Sequence, residues 1–124
     1  MIDLKLTDVR PFVGSQDFDI SKAFYEALGW TTEYLDDQLA LMANGNHRFY
    51  LQRYHQKDWL ENTMLHLTVA DAAACHAQIA AVLASGTYGN ARVAPPKRED
   101  YGALVTYVWD PAGVLLHLAQ WNGA

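Results

Sequence analysis

Five histidines, one cysteine and a set of strand-borne aromatic residues are the side chains in this sequence with chemistry to offer. His47, His55 and His76 fall in a turn, in a loop and on a helix surface, contexts that predict solvated imidazoles. His66 and His117 lie in strand-like stretches and face a pocket or a core as polar groups with hydrogen-bond partners. The single cysteine, Cys75, excludes an internal disulfide, a CxxC redox pair and a cysteine-rich zinc site. Set among Ala72, Ala73, Ala74 and Ala77, it reads as a buried, inert residue on a helix. No Ser/His/Asp arrangement and no phosphate-cradling glycine loop is present, because Gly86 and Gly89 read as a helix stop and a turn. Aromatic residues are plentiful, with four Trp, seven Tyr and four Phe. Tyr50, Tyr54, Trp59, Tyr101, Tyr107, Trp109 and Trp121 fall where they can line a concave sheet. Flat aromatic walls with a few polar groups suit a planar or cationic organic ligand. The same residues on strands serve equally as core or as dimer interface.

Composition narrows the field. Nine Lys+Arg against fourteen Asp+Glu leave a net charge of -5 over 124 residues. That balance argues against nucleic-acid and anionic-membrane partners, which need a cationic face. The basic residues are also scattered, with Arg48, Arg53 and Lys57 in one loose group and Lys97-Arg98 in another. With 51% hydrophobic and 19% charged residues the chain can bury a core and is not disordered. No apolar run approaches the ~20 residues that span a bilayer. The opening Met1-Ile2-Asp3-Leu4-Lys5 lacks the basic-then-apolar order of a signal peptide. A cytoplasmic protein with neither a membrane nor a nucleic-acid partner is expected.

The elements that must position these residues are legible from periodicity. Val9 to Gly14 reads as a strand, followed by a helix with Ile20, Phe24, Ala27 and Leu28 on one face. Asp17 or Asp19 caps that helix and Gly29 ends it. Strands are expected over Thr31–Leu35, Gln38–Ala43 and His47–Tyr54, with Asn44-Gly45 as a hairpin turn. The second half repeats the order. Met64–Val69 reads as a strand, and Asp71 caps a helix to about Ser85 with Ala74, Cys75, Gln78, Ile79, Val82 and Leu83 inward. Val93–Pro96 reads as an edge strand or loop, and Ala103–Trp109 and Val114–Trp121 as strands joined by Asp110-Pro111-Ala112-Gly113. Tyr54 to Asn62 is a polar connector too short to be an element. Arg10-Pro-Phe-Val sets over His66-Leu-Thr-Val at an offset of 56, and Tyr50-Leu-Gln over Leu115-Leu-His at 65. This is a repeat of element order with low identity. Two ~60-residue βαβββ modules, each too small to bury a core alone, must pack together.

Pro11-Phe12-Val13, Asp17-Phe18 and Ser21-Lys22-Ala23-Phe24-Tyr25-Glu26-Ala27-Leu28-Gly29-Trp30 resemble the opening module of the vicinal oxygen chelate superfamily. That superfamily holds the glyoxalases, bleomycin-resistance proteins and extradiol dioxygenases. Trp109-Asp110-Pro111-Ala112-Gly113-Val114-Leu115-Leu116-His117-Leu118 resembles its Asp-Pro-x-Gly-Asn-x-x-Glu ending. The likeness covers about residues 7–120. It implies an α+β fold in one domain, 1–124, of two tandem modules (about 7–54 and 64–121) forming curved mixed sheets. It also implies a homodimer enclosing two ligand sites, in which Arg10 and Gln52 of one chain meet His66 and His117 of its partner.

In the metal-dependent members four positions supply ligands, and by resemblance these fall on Arg10, Gln52, His66 and His117. Only His66 matches that pattern. Arg10 stands where a His or Gln is usual, and a guanidinium stays protonated and cannot ligate. Gln52 and His117 stand where glutamates are usual, leaving no carboxylate to offset a divalent charge. An intact fold signature with a disrupted ligand set implies a metal-independent small-molecule binder resembling the bleomycin-resistance proteins, with no cofactor. Arg10, Gln52, His66, His117, Tyr50, Trp59, Tyr101 and Tyr107 are then the residues expected to line the cavity. No catalytic residue is assigned, although a neutral His117 has the pKa of a base. Antibiotic resistance is implied by the family alone. The alternative is a metal-dependent lyase, isomerase or dioxygenase holding Zn, Ni, Fe or Mn on His66, His117 and Gln52. A third reading is a protein-interaction module with a small or filled cavity.

Overall fold

The computed structural model describes residues 1–122; residues 123–124 of the expected domain lie outside the described residues. The first module comprises β1 (Phe12–Val13), α1 (Phe18–Ala27), β2 (Thr31–Leu35), β3 (Leu39–Asn44) and β4 (His47–Gln52). A helical turn, α2 (Lys57–Glu61), leads to β5 (Met64–Thr68) and α3 (Ala72–Ser85). The chain then forms β6 (Arg92–Val93), β7 (Lys97–Glu99), β8 (Ala103–Trp109) and β9 (Leu115–Trp121). One sheet has the order β1-β4-β3-β2 and the other β5-β9-β8-β6, with β7 also on β8. In each, the first strand runs parallel to the last and the remaining ladders are antiparallel. The fold is therefore α+β with the same strand order in both halves.

Local chemistry explains the helices. Asp17 accepts from the Ile20 amide at 3.1 Å and Asp71 from the Ala74 amide at 2.9 Å, capping α1 and α3. The inward face of α1 is Phe18, Ser21, Phe24 and Tyr25, whereas Ala27 is exposed and Ile20 half-buried. The rotation relative to the expected face follows from Tyr25, whose hydroxyl donates to Asp110 Oδ2 at 2.7 Å in the core. One core joins the modules, with Phe24, Met42, Phe49 and Leu51 meeting Ile79, Val108, Leu116 and Leu118.

Three expectations change. The first strand is Phe12–Val13 rather than Val9–Gly14: Pro11 has no amide to extend a ladder, and Val9 is 70% exposed. The connector holds the helical turn α2, because Leu60 is fully buried and anchors it. The proline-rich stretch splits into β6 and β7, which flank Pro95 and Pro96 on the same neighbour, β8. No helix among the described residues is long and apolar enough to cross a membrane.

Candidate functional site

Each sheet packs one face on the core and turns the other outward. In the first sheet Val13, Phe49 and Leu51 are buried, so Phe12, Arg48, Tyr50 and Gln52 alternate onto the open face. Phe12 stacks on Tyr50 with centroids 4.9 Å apart and planes at 21°. Arg10 crosses that pair, donating from Nη1 to the Tyr50 hydroxyl at 2.9 Å and from Nε to Asp8 Oδ2 at 2.8 Å. The Asp8 contact raises the guanidinium further, and Arg10 in turn holds the Asp8 carboxyl below its ordinary value. Arg48 is occupied by a two-pronged bond to Glu33, at 2.7 and 3.0 Å.

The second open face is assembled by register. His66 stands opposite His117, and His117 opposite Tyr107, so all three share a side. Two residues along, alternation brings Met64 from β5, and the row Glu99–Ala103–Trp121 extends the same side. The imidazoles of His66 and His117 lie 6.3 Å apart at 27°, and His66 is 5.7 Å from Trp121. Tyr107 meets His117 edge-on at 5.0 Å, and Tyr101 lies 5.7 Å from Trp121. Met64 Sδ lies 3.4 Å from His117 Nε2. Beneath them Ala103, Val105 and Ala119 form a floor of small side chains. Partial burial, and then the like charge of His66, depress the His117 pKa, which Glu99 opposes. Burial, then Tyr101 and Glu99, push the Tyr107 phenol up to about 12. Imidazoles and phenols on an aromatic surface can stack on and hydrogen-bond a flat organic molecule.

The expected residues therefore divide into groups. Arg10, Tyr50 and Gln52 belong to the first face, and His66, His117, Tyr101 and Tyr107 to the second. Trp59 stands apart on α2, edge-on to Tyr54 at 5.6 Å and packed over Gly14. Continuing the β1–β4 register puts Arg10 level with Arg48, so Gln52 lies four residues, ~13 Å, further along β4. Among the described residues no three His, Cys, Asp or Glu side chains converge as a metal cluster. Gln52 and the histidine pair stand on different sheets. Met64 and Glu99, which the sequence did not single out, join the second face together with Trp121, one of the strand-borne aromatics expected to line a concave sheet. Glu99 brings a carboxylate to this side of the sheet without forming a metal cluster with the histidines. Its place follows from the β7–β8 pairing, which no local signal announces. Of the histidines expected in solvent, His47 and His55 are exposed and His76 is half-buried. Cys75 is half-buried, its thiol pushed up by burial.

A groove of about 820 Å³ opens on the opposite side of the second sheet. Leu65, Leu67 and Val69 of the β5 edge, Cys75, Ile79 and Val82 of α3, and Trp30 and Phe49 of the first module line it.

No family model and no curated protein matches the sequence. Solved structures do match. A bleomycin resistance determinant encoded on transposon Tn5 is 25% identical, with a TM-score of 0.79, over 94% of this chain and 99% of that one. A bleomycin-binding protein complexed with bleomycin is 24% identical with a TM-score of 0.77, over 93% and 98%. The bleomycin-binding protein of Streptomyces verticillus, complexed with copper(II)-bleomycin, is 22% identical with a TM-score of 0.78, over 97% and 98%.

Proposed function

Given that this chain has the glyoxalase/bleomycin-resistance fold, consistent with the vicinal oxygen chelate superfamily, we propose that it binds a small organic molecule without a metal. The ligand carries a flat aromatic portion and is held between the first sheet of one chain and the second sheet of its partner in a homodimer. The observation that carries this reading is the pair of outward aromatic faces. Phe12, Trp121 and Tyr101 are 49%, 40% and 51% exposed, and a chain of this size leaves such surfaces open where something is to cover them. Phe12 and Tyr50 form one wall, while His66, His117, Tyr107 and Trp121 form the other. Arg10 and Glu99 bring opposite charges to the two walls, suiting a ligand with polar groups at both ends. Sequestration is the activity such a site performs, and antibiotic resistance follows where the ligand is a drug of the bleomycin type.

A metal-dependent enzyme built on His66, His117 and Gln52 is the competing reading, favoured by the proximity of the two imidazoles. The donor set fits it poorly, since Arg10 is a fixed cation and none of the four carried-over positions is a carboxylate. Titration with metal-free bleomycin and with its copper(II) complex, followed by Trp121 fluorescence and calorimetry, tests the binder. Saturable binding, weakened in Tyr50→Ala and in Trp121→Ala, is expected. One tightly held transition metal per chain after chelator-free purification, lost on His66→Ala/His117→Ala, would overturn the metal-independent reading.

A further inference from the structure

We propose that, given the ligand reading above, Glu99 makes the second open face selective for a protonated amine, an ammonium bearing N–H groups beside the ligand's flat portion. Register fixes the setting. Glu99, Ala103 and Trp121 form one cross-strand row on that face, and Lys97, Val105, Ala119 and Thr68 form the next. Tyr107, His117 and His66 form the row beyond. Tyr101 sits in the tight turn between β7 and β8, where Gly102 at φ +99° returns the chain. Its ring lies 5.7 Å from Trp121, and Tyr101 and Glu99 both act on the Tyr107 phenol. The carboxylate therefore stands in a corner walled by three aromatic rings, over a fully buried floor of Ala103, Val105 and Ala119.

One oxygen of that carboxylate, Oε1, is shut off from solvent and has no hydrogen-bond partner among the described residues. Such an acceptor costs free energy until a donor reaches it. The neighbouring cations do not meet the need. Lys97 Nζ lies 3.4 Å from Oε1 without making a hydrogen bond, and its side chain is 71% exposed. An ion pair so open to water contributes little, so an incoming ammonium can displace it. Arg98 projects from the opposite side of β7 and donates to Asn122 Oδ1 at 2.9 Å. Arg10, on the first sheet, is engaged by Asp8 and Tyr50.

The corner discriminates between ligands by two separate forces. The faces of Trp121, Tyr101 and Tyr107 attract any organic cation, quaternary or protonated. The bare Oε1 adds a demand that only a donor can meet, and a hydrogen bond between charged groups is about twice as strong as a neutral one. A quaternary ammonium lacks the donor, an alcohol lacks the charge, and a carboxylate is repelled.

Three probes that share one flat ring separate these forces: 1-naphthylmethylammonium, its N,N,N-trimethyl analogue and 1-naphthalenemethanol. By calorimetric titration of the full chain, the primary ammonium is expected to bind about tenfold tighter than either of the others. Glu99→Gln, isosteric and on an edge strand, is expected to erase that preference while leaving the alcohol's affinity within about twofold. Lys97→Ala is expected to keep the preference or widen it. Equal affinities in the parent chain, a preference that survives Glu99→Gln, or one that disappears in Lys97→Ala overturns the assignment and leaves the ligand reading standing. Bleomycin bound with no naphthalene probe bound does the same. A chain that binds neither bleomycin nor any probe refutes the ligand reading and the amine preference together.

Discussion

Replacing Tyr25 with phenylalanine deletes one hydroxyl group and leaves the ring, so the core keeps its volume while Asp110 loses a donor. The hydroxyl bond to Asp110 Oδ2 is 2.7 Å long and connects α1 to the β8–β9 turn, tying one module to the other. The remaining oxygen, Oδ1, accepts from the Ala112 and Val114 amides at 2.8 and 3.0 Å. Asp110 is 1% exposed, so water cannot replace the lost partner. A buried hydrogen bond to a charged group contributes about 1.5–3 kcal/mol, and leaving the acceptor bare costs the upper part of that range. A loss of about 2.5 kcal/mol, or roughly 10 °C in Tm for a chain of this length, is expected. The deficit also depends on pH. Burial raises the Asp110 carboxyl above its ordinary 3.8, while the Tyr25 hydroxyl and the backbone amides pull it back. The folded chain thus binds that proton more tightly than the unfolded one, and stability falls as pH rises between the two values. Without the hydroxyl the folded value climbs further, so the variant's deficit is small in acid and opens as pH rises. Urea unfolding of both proteins between pH 4.5 and 8 reads this directly. A deficit that is constant with pH, or below about 0.5 kcal/mol throughout, would refute the reasoning.

Three other outcomes are expected. Tyr50→Ala removes the ring that stacks on Phe12 and the hydroxyl that holds Arg10, and should weaken bleomycin binding about tenfold by calorimetry, with Tm little changed. The His117 imidazole should titrate below its ordinary 6.5 by NMR, and Glu99→Gln should lower the midpoint further, because that carboxylate holds the value up. Gly14→Ala should destabilise the chain severely, since an added Cβ would lie 2.5 Å from Trp59 and 2.7 Å from the Tyr54 carbonyl oxygen; a Tm within 2 °C of the parent, judged by about 0.5 kcal/mol, would contradict that packing.

Signals that act within a few residues were legible before folding. Asp71 and one of the two candidates Asp17 and Asp19 marked two helix starts, the Asn44-Gly45 turn marked a hairpin, and β8 and β9 lie within the strands expected there. These depend on backbone geometry and side-chain period, which each segment carries by itself. The repeat of element order likewise foretold two sheets of the same strand order. Offsets drawn from short matches did not foretell register: β1 meets β4 with Phe12 opposite Tyr50, β5 meets β9 with His66 opposite His117, and these differ in sequence separation. Register is set by which side chains share the core, a choice made between strands far apart in the chain. For that reason only the tertiary structure moved Trp59 off both faces and brought Glu99 and Met64 to the side of His66 and His117. It alone exposed the apolar groove, because whether a side chain is covered depends on what packs against it and not on its own type.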